Sequence, residues 1–259
     1  MKILKFTLAG KNAFFKKPDV NAVLYFTYGN IHKIAIYCIF GAILGYGGYN
    51  QMNNYNQINK KDQLVYPEFY DKLKDIKLSI VPNNQNGFFE KKVQYFNNSV
   101  GYASKEEGGN LVVKEQWIEN PSWDIYVQVD DEISQKLADS ILNKKTVYIP
   151  YLGKNDHIAN ISNVKLYEDY EINTIKDSNR IDSLFKESMF QFENYDEEDE
   201  EDVEDDDIAK FKYQERLPIA LEEETNLYIT EKFIFTNMNI SKREDVDIFK
   251  LDDKKVVFY

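Results

Sequence analysis

Cysteine and histidine are nearly absent from this sequence, and their scarcity removes several classes of site. The 259 residues include one cysteine, Cys38, and two histidines, His32 and His157. A single cysteine excludes an internal disulfide and a multi-cysteine metal centre, and it fits a reducing compartment. There is also no H-x-x-x-H pair, no G-x-S-x-G elbow and no Walker A loop, so the sequence predicts no metal site and no cofactor. Cys38 lies in an apolar run, where a small core residue is expected.

Long apolar segments are scarce as well. Residues 1–8 alternate lysine with apolar side chains, which is not the pattern of a signal peptide. Residues 34–48 are the one candidate for a membrane span, but they are few for a bilayer crossing and include several glycines and tyrosines. We therefore expect a buried helix in a cytoplasmic protein that does not bind membranes.

Arginine is also scarce, so positive charge depends on lysine. The net charge of −12 is unevenly distributed along the chain. Residues 1–166 contain 20 lysines against 16 acidic residues, whereas residues 167–259 contain 12 basic and 28 acidic residues. The first two thirds are therefore mildly basic, and the last third is strongly acidic. Such asymmetry indicates a polyanion-binding body with an acidic appendage.

The pattern of apolar residues predicts an α+β protein built on a ferredoxin-like or RRM βαββαβ sheet. The predicted strands are residues 2–8, 76–81, 123–129 and 146–149, and the predicted helices are residues 31–44 and 131–143. Asn30 and Gly45 are expected to cap the first helix. Residues 88–96 and 111–118 predict the arms of a hairpin inserted between the second and third strands, with its tip at residues 97–110.

Two regions follow from this pattern. Residues 1–160 are interpreted as a ferredoxin-like RNA-binding domain, in which the inserted hairpin, or thumb, spans about residues 91–120. A polar loop is expected at residues 50–61 of this domain. Residues 161–259 are interpreted as a small β-rich C-terminal region. Within it, residues 193–207 contain 12 carboxylates in 15 positions, and so dense a block of like charge is expected to be a disordered, solvated insert.

Two clusters in the first fifty residues combine the residue types that bind RNA. Lysines neutralise phosphates, aromatic rings stack on bases, and glycines allow close approach of another backbone. The first loop (residues 9–30) and the glycine-aromatic turn after the first helix (residues 45–49) supply the candidates Lys11, Phe15, Lys16, Lys17, Tyr46, Gly47, Gly48 and Tyr49. The alternative interpretation is a solvated loop with its phenylalanine in the core, followed by an ordinary helix stop.

Two further clusters lie in the thumb and in the segment that follows the second helix. Amide, hydroxyl and aromatic side chains can read unpaired bases, and a lysine and a histidine can contact ribose-phosphate. These candidates are Asn97, Asn98, Ser99, Tyr102, Gln116, Trp117, Lys154, Asn155 and His157. The same compositions also suit polar turns that bind nothing.

Three blocks of sequence carry a resemblance to a known family. They are GKNAFFKKPDVNAVLYFTYGNIHKIAIYCIFGAILGYGGYNQ, KVQYFNNSVGYASKEEGGNLVVKEQWIENPSWDIYV and YIPYLGKND, in that order within roughly the first 160 residues. Together they closely resemble CRISPR-associated protein family five, in its type I-B branch. The resemblance implies a ferredoxin-like domain with a β-hairpin thumb. It also implies one copy in the Cascade effector complex, bound to the 5′ repeat-derived tag of the crRNA.

The resemblance also implies a role in antiviral defence and a set of partners. The first loop and the glycine-aromatic turn would hold the backbone of the tag, and the thumb would displace a base near the tag–spacer junction. The partners would be the crRNA, the Cascade backbone subunit and the large target-scanning subunit, with target DNA reached only through the assembled complex. We expect a non-catalytic RNA-binding subunit.

The alternative function is a metal-independent pre-crRNA endoribonuclease. In one branch of the family the protein cuts the repeat itself with a Tyr, Lys and His constellation. Here His157 or Tyr46 would activate a ribose 2′-hydroxyl, and Lys154 would stabilise the developing charge. His157 also stands where the family more often has an aromatic residue.

Overall fold

Among the described residues, the α-helices all lie before residue 143, whereas antiparallel strands occur along the whole described chain. The computed structural model describes residues 1–19, 23–98, 101, 105, 111–173, 180–192, 209–242 and 246–259. The helices in these ranges are α1 (Lys33–Leu44), α2 (Tyr49–Ile58), α3 (Glu68–Leu73) and α4 (Glu132–Leu142). The strands are β1 (Lys2–Ala9), β2 (Asn12–Ala13), β3 (Leu78–Pro82), β4 (Lys91–Asn98), β5 (Leu111–Glu119), β6 (Ser122–Val129), β7 (Asn160–Tyr167), β8 (Glu171–Asn173), β9 (Phe185–Lys186), β10 (Phe190–Phe192), β11 (Lys212–Leu221), β12 (Tyr228–Thr236), β13 (Ile240–Lys242), β14 (Ile248–Leu251) and β15 (Lys254–Val256). The predicted α+β class is confirmed.

The centre of the fold is a four-stranded antiparallel sheet in the order β3-β6-β1-β7. Its elements follow one another as β1-α1-β3-β6-α4-β7, which is the predicted ferredoxin-like order. Because side chains alternate along a strand, Leu4, Phe6 and Leu8 of β1 all enter the core shared with α1 and α4. Phe6 meets Phe40 of α1 edge-on, with ring centroids 6.2 Å apart.

The fourth strand of this sheet is β7, and the prediction of a strand at residues 146–149 is wrong. Val147 and Tyr148 instead donate their backbone N–H groups to the carbonyls of Ile43 and Ala42, each at 3.0 Å. Carbonyls in the last turn of a helix lack intrahelical donors, so this extended segment satisfies the end of α1. The first domain predicted from the sequence, residues 1–160, ends at Asn160, which is the first residue of β7.

The two ends of α1 differ in how well they follow the prediction. His32, rather than Asn30, caps the helix by accepting a hydrogen bond from the Ala35 N–H at 3.2 Å. Asn30 is buried instead, and its side-chain oxygen accepts a hydrogen bond from the Trp123 indole at 2.9 Å. Gly45 ends the helix at φ 82, as predicted. The polar loop predicted to follow is mostly α2, a largely exposed helix.

An inserted hairpin connects β3 to β6, as predicted. β4 and β5 pair antiparallel, from Lys91 opposite Ile118 to Asn98 opposite Leu111. On the other side of β5, Tyr25 of the first loop makes two backbone hydrogen bonds of 2.9 Å. The first loop is therefore attached to the hairpin. Most of the predicted tip, residues 99–100, 102–104 and 106–110, lies outside the described residues.

The C-terminal region is β-rich and covers the sheet face opposite the helices. Phe249, Leu251 and Phe258 form one core cluster with Ile3 and Tyr126 from that face. In an RRM the corresponding face stacks on RNA bases. Here the two tyrosines that the main sheet contributes to this cluster, Tyr126 and Tyr167, are 1% and 7% exposed, so neither ring is available for stacking on RNA.

The acidic insert at residues 193–207 lies outside the described residues. In the parts of the chain that are described, no helix combines the length and the apolar character that a membrane crossing requires.

Candidate nucleic-acid interface

A cavity of about 450 Å³ lies between the first loop, α1, the base of the hairpin and the loop after α4. Apolar and aromatic side chains form most of its wall, among them Phe14, Phe15, Ile39, Tyr151 and Tyr228. Three charged side chains also line it, namely Lys16, Glu115 and Lys154. Apolar walls with a few convergent polar groups are typical of ligand sites. The two cations favour an anionic ligand.

Backbone contact between the first loop and the loop after α4 positions the two lysines. The Phe14 N–H donates to the Leu152 carbonyl at 3.0 Å. Gly153 has φ +85, and a Cβ atom there would lie 1.9 Å from the Phe14 carbonyl oxygen. Glycine is therefore required at position 153 for two reasons: the backbone is left-handed there, and the Phe14 carbonyl leaves no room for a side chain. This contact brings Lys154 to the cavity.

Lys154 is held in place by a carboxylate and by aromatic rings. Its Nζ lies 2.8 Å from Glu115 Oε2, which also accepts a hydrogen bond from Trp117 Nε1 at 2.8 Å. The same Nζ lies 4.8 Å from the ring centroid of Phe96. The ammonium group is thus fixed before any ligand binds, and Glu115 partly neutralises it.

The lysines of the first loop have different surroundings. Lys16 lines the cavity, and its Nζ lies 3.8 Å from the ring centroid of Tyr25. Lys17 forms an ion pair with Glu215 of β11, with Nζ and Oε1 3.0 Å apart. Lys11 is exposed. Of these predicted phosphate contacts, the structure brings Lys16 to the cavity, while Lys17 is bound to the C-terminal region.

Phe15 is buried and belongs to the wall of the cavity. Its ring packs against Trp123 and His32, with centroid distances of 6.0 and 5.9 Å. Tyr28 and Tyr228 also meet the ring of His32 edge-on. Burial in this aromatic cage lowers the pKa of His32 to about 3, so the ring is neutral at physiological pH.

The glycine-aromatic turn directs its backbone N–H groups towards side chains of this chain. Gly47 donates to Glu68 Oε2 at 2.8 Å, and Gly48 donates to Gln51 Oε1 at 3.0 Å. A phosphate would have to displace these acceptors in order to bind the same groups. The glycines therefore have a structural use at the start of α2 and α3.

The two tyrosines of this turn have different neighbours. Tyr46 is partly exposed, and Lys136 Nζ lies 5.9 Å from its ring centroid. Burial, and to a smaller extent the neighbouring Cys38, raises the pKa of Tyr49 to about 12. Cys38 is exposed in the cavity wall, so the expectation of a core position is wrong.

The hairpin presents two different faces, because adjacent residues of a strand point to opposite sides. Trp117 is buried on the face that contacts Lys154. The opposite face carries Tyr95, which is 60% exposed, and Lys114, whose Nζ lies 5.3 Å from the Tyr95 ring centroid. The predicted contacts Asn97 and Gln116 share this exposed face. Neither Tyr95 nor Lys114 was singled out from the sequence.

The remaining predicted contacts are only partly described. The side chain of Asn98, together with Ser99 and Tyr102, lies outside the described residues. Asn155 is exposed in the loop after α4.

His157 is buried beneath the hairpin. It is 4% exposed, and its ring centroid lies 4.4 Å from that of Trp117. Neither ring nitrogen has a hydrogen-bond partner within the described residues. Burial lowers the pKa of His157, so the ring is held in its neutral form and away from solvent.

Comparison with known proteins finds matches among solved structures. No family model and no curated protein matches the chain. A chain of a solved "CRISPR RNA-guided surveillance complex" matches with a TM-score of 0.51 and 11% identity, over 93% of this chain and 91% of that one. A CRISPR protein from Archaeoglobus fulgidus matches with a TM-score of 0.47 and 9% identity, over 99% and 98% of the two chains. The first match shows that this chain shares its fold with a CRISPR protein.

Proposed function

We propose that this chain is an RNA-binding subunit of a CRISPR effector complex and that it holds the 5′ tag of a crRNA, as the resemblance to family five of type I-B implies. One observation carries the proposal: Lys16 and Lys154 line one cavity, each set against aromatic rings, at the base of a protruding hairpin. An unpaired nucleotide has a base that stacks and a phosphate that is anionic, and the cavity complements both.

Different residues have different roles in this proposal. Lys16 and Lys154 contact phosphates, and Tyr25 and Tyr151 offer rings to bases. Tyr95 lies on the outer face of the hairpin, where it meets RNA that passes the thumb. The buried rings of the cavity wall support this surface and do not stack on RNA. The backbone subunit and the large subunit of a type I-B Cascade are the proposed protein partners.

We also propose that the subunit binds RNA without cutting it. A ribonuclease of the alternative kind needs a general base that reaches a ribose 2′-hydroxyl. His157 is 4% exposed and packed against Trp117, which favours a structural role. Burial raises the pKa of Tyr46, and a phenol of this kind is a poor base at neutral pH.

The experiment is a gel-shift titration of labelled, tag-bearing single-stranded RNA in EDTA. We expect Lys16→Ala and Lys154→Ala each to weaken binding about tenfold and to reduce the slope of log K against log salt by about 0.7. Lys72→Ala is the control, because Lys72 is exposed on α3, outside the cavity. Melting temperatures are measured on the same samples. Equal losses in the control and the cavity variants would contradict the proposed site.

The same incubation tests the absence of cleavage. We expect the RNA to stay full-length over hours in EDTA. Site-specific cleavage that disappears in His157→Ala would establish the nuclease instead.

A further inference from the structure

A second concave surface lies at the edge of the main sheet. A groove of about 210 Å³ lies between the end of α4, the segment at residues 146–150 and β7. Its walls are mainly aliphatic, with Ile43, Ile141, Pro150, Ala159, Ile161 and Val164. β7 is the last strand on this side of the sheet, so Ile161 and Val164 pack on the core and remain partly exposed. The core layer is therefore open at this edge.

The wall at residues 146–150 continues into an exposed apolar ridge. Val147, Tyr148 and Ile149 are 62%, 59% and 69% exposed. Their backbone is fixed, because Val147 and Tyr148 donate hydrogen bonds to the end of α1. Contiguous exposed apolar surface of this kind marks interaction sites in folded proteins.

Positive charge at the rim of the groove indicates that its partner is acidic. Lys144 and Lys145 line the groove, and both are exposed. Neither forms an ion pair with another described residue, whereas Lys2, Lys165 and Lys250 on the same molecule all do. Two uncompensated cations beside an aliphatic groove complement an apolar side chain that is flanked by carboxylates.

We propose that this groove docks a segment of another protein, which inserts one large apolar side chain and places Asp or Glu beside Lys144 and Lys145. The volume suits a single Phe, Leu or Trp anchor and is below the roughly 300 Å³ at which small-molecule sites begin. The groove walls are mainly aliphatic, and the Ser140 hydroxyl already donates to the Lys136 carbonyl at 2.8 Å, which disfavours a nucleobase as the occupant. The groove shares no lining residue with the cavity assigned to RNA.

The test uses fluorescein-labelled seven-residue peptides and the full-length protein. The central residue is Phe, Leu, Trp or Ala, and the flanking residues are all Glu or all Lys. We expect the Glu-flanked peptides with a large apolar centre to bind at least about tenfold more tightly than the Ala-centred and Lys-flanked ones. Lys144→Glu with Lys145→Glu should reverse the preference, so that Lys-flanked peptides bind more tightly.

Lys60→Glu with Lys61→Glu is the matched control, because it reverses an adjacent, exposed lysine pair elsewhere on the molecule. It should leave the preference for Glu-flanked peptides unchanged. Equal binding of Phe- and Ala-centred peptides, or an unchanged preference in the groove variant, would overturn the proposal. Displacement of the peptide by tag RNA, or dimers that the groove variant abolishes in sedimentation, would also overturn it. The groove variant should bind tag RNA as the control variant does, which separates this proposal from the proposed function.

Discussion

Lys154 forms an ion pair with Glu115 in the cavity that we assign to RNA. The same ammonium group is therefore needed by the buried carboxylate and by the phosphate of the RNA. The two side chains are 28% and 12% exposed, so water screens the pair incompletely. A phosphate that approaches Lys154 is repelled by the Glu115 carboxylate and competes with it. Glu115 therefore limits how tightly the cavity binds an anion, although it has the wrong charge to contact one.

Glu115→Gln should consequently raise the affinity for tag RNA. We expect an increase of about three- to tenfold, because the neutral amide neither repels the phosphate that Lys154 contacts nor competes with it for the ammonium group. The glutamine oxygen still accepts the Trp117 hydrogen bond, so folding is retained. Glu119→Gln is the control. Glu119 lies on the same strand as Glu115, and its carboxylate forms an ion pair with Lys92 of β4 at 2.9 Å. An equal gain in the control would indicate a general charge effect.

His32 predicts how stability depends on pH. Burial lowers its pKa from 6.5 to about 3, so the unfolded chain binds a proton more readily than the folded chain. The stabilising contribution is complete above pH 6.5 and decreases as the pH falls from there towards 3. At pH 5 the free energy of unfolding should be lower by about 2 kcal/mol than at pH 8. His157 acts in the same direction, because burial lowers its pKa too.

Urea unfolding of His32→Asn at pH 5 and pH 8 isolates this contribution. Asparagine keeps a side-chain acceptor at the helix N-cap and does not titrate. We expect a smaller difference in unfolding free energy between the two pH values than in the unaltered protein, whatever the stability at pH 8. A difference of the same size in both proteins would show that His32 is not the cause.

Elements whose apolar pattern matches their final burial could be predicted from the sequence, and the others could not. β1, β6 and α4 each place apolar residues at the period of the element, so local pattern was sufficient. Residues 146–149 have the β-branched and aromatic composition of a strand, but they bind the end of α1 because its carbonyls need donors. The sequence does not show which of two partners an extended segment joins. α2 is equally difficult, because Met52 is its one buried side chain among those described.

The candidate site was likewise predicted only where the local sequence contains enough information. Lysines near aromatic residues could be found locally, and Lys16 and Lys154 both reach the cavity. Composition does not distinguish a ring that faces solvent from one in the core, so the sequence left both positions open for Phe15 and did not predict the burial of Trp117. Tyr25 was missed because its position depends on backbone bonds to β5, which is distant in sequence.

The two faces of the hairpin should respond oppositely to truncation. Tyr95→Ala should leave the melting temperature nearly unchanged and weaken RNA binding by about 1–3 kcal/mol, because an exposed ring that stacks on a base is lost. Trp117→Ala should lower the free energy of unfolding by about 3–5 kcal/mol, since it removes a buried ring. Melting and RNA titration on one preparation of each variant measure both effects. A Tyr95→Ala protein that melts early and binds RNA normally would contradict the assignment of the outer face.

At the scale of the whole molecule, the acidic C-terminal third combines a structural and an electrostatic contribution. Deleting residues 193–207 should leave folding intact, because a block of like charge contributes no core. It should also tighten RNA binding by removing a long-range repulsion, and added salt should reduce that gain. Deleting residues 168–259 is the contrasting variant and should abolish soluble protein, because it uncovers Ile3 and Tyr126. Loss of folding in the shorter deletion would show that the acidic block has a structural role.

The pairing of β3 with residues near the end of the sequence has a consequence for biosynthesis. Leu78 exchanges backbone hydrogen bonds with Tyr259 at 3.2 and 3.4 Å, and the Leu184 N–H donates to the Ile80 carbonyl at 2.8 Å. One edge of the sheet therefore stays open on the ribosome until these partners have been made. At about 5–20 residues per second, the delay after β3 is roughly 10–40 s. During that interval β3 is an unpaired apolar strand edge, so the nascent chain is a natural client for chaperones that bind such edges.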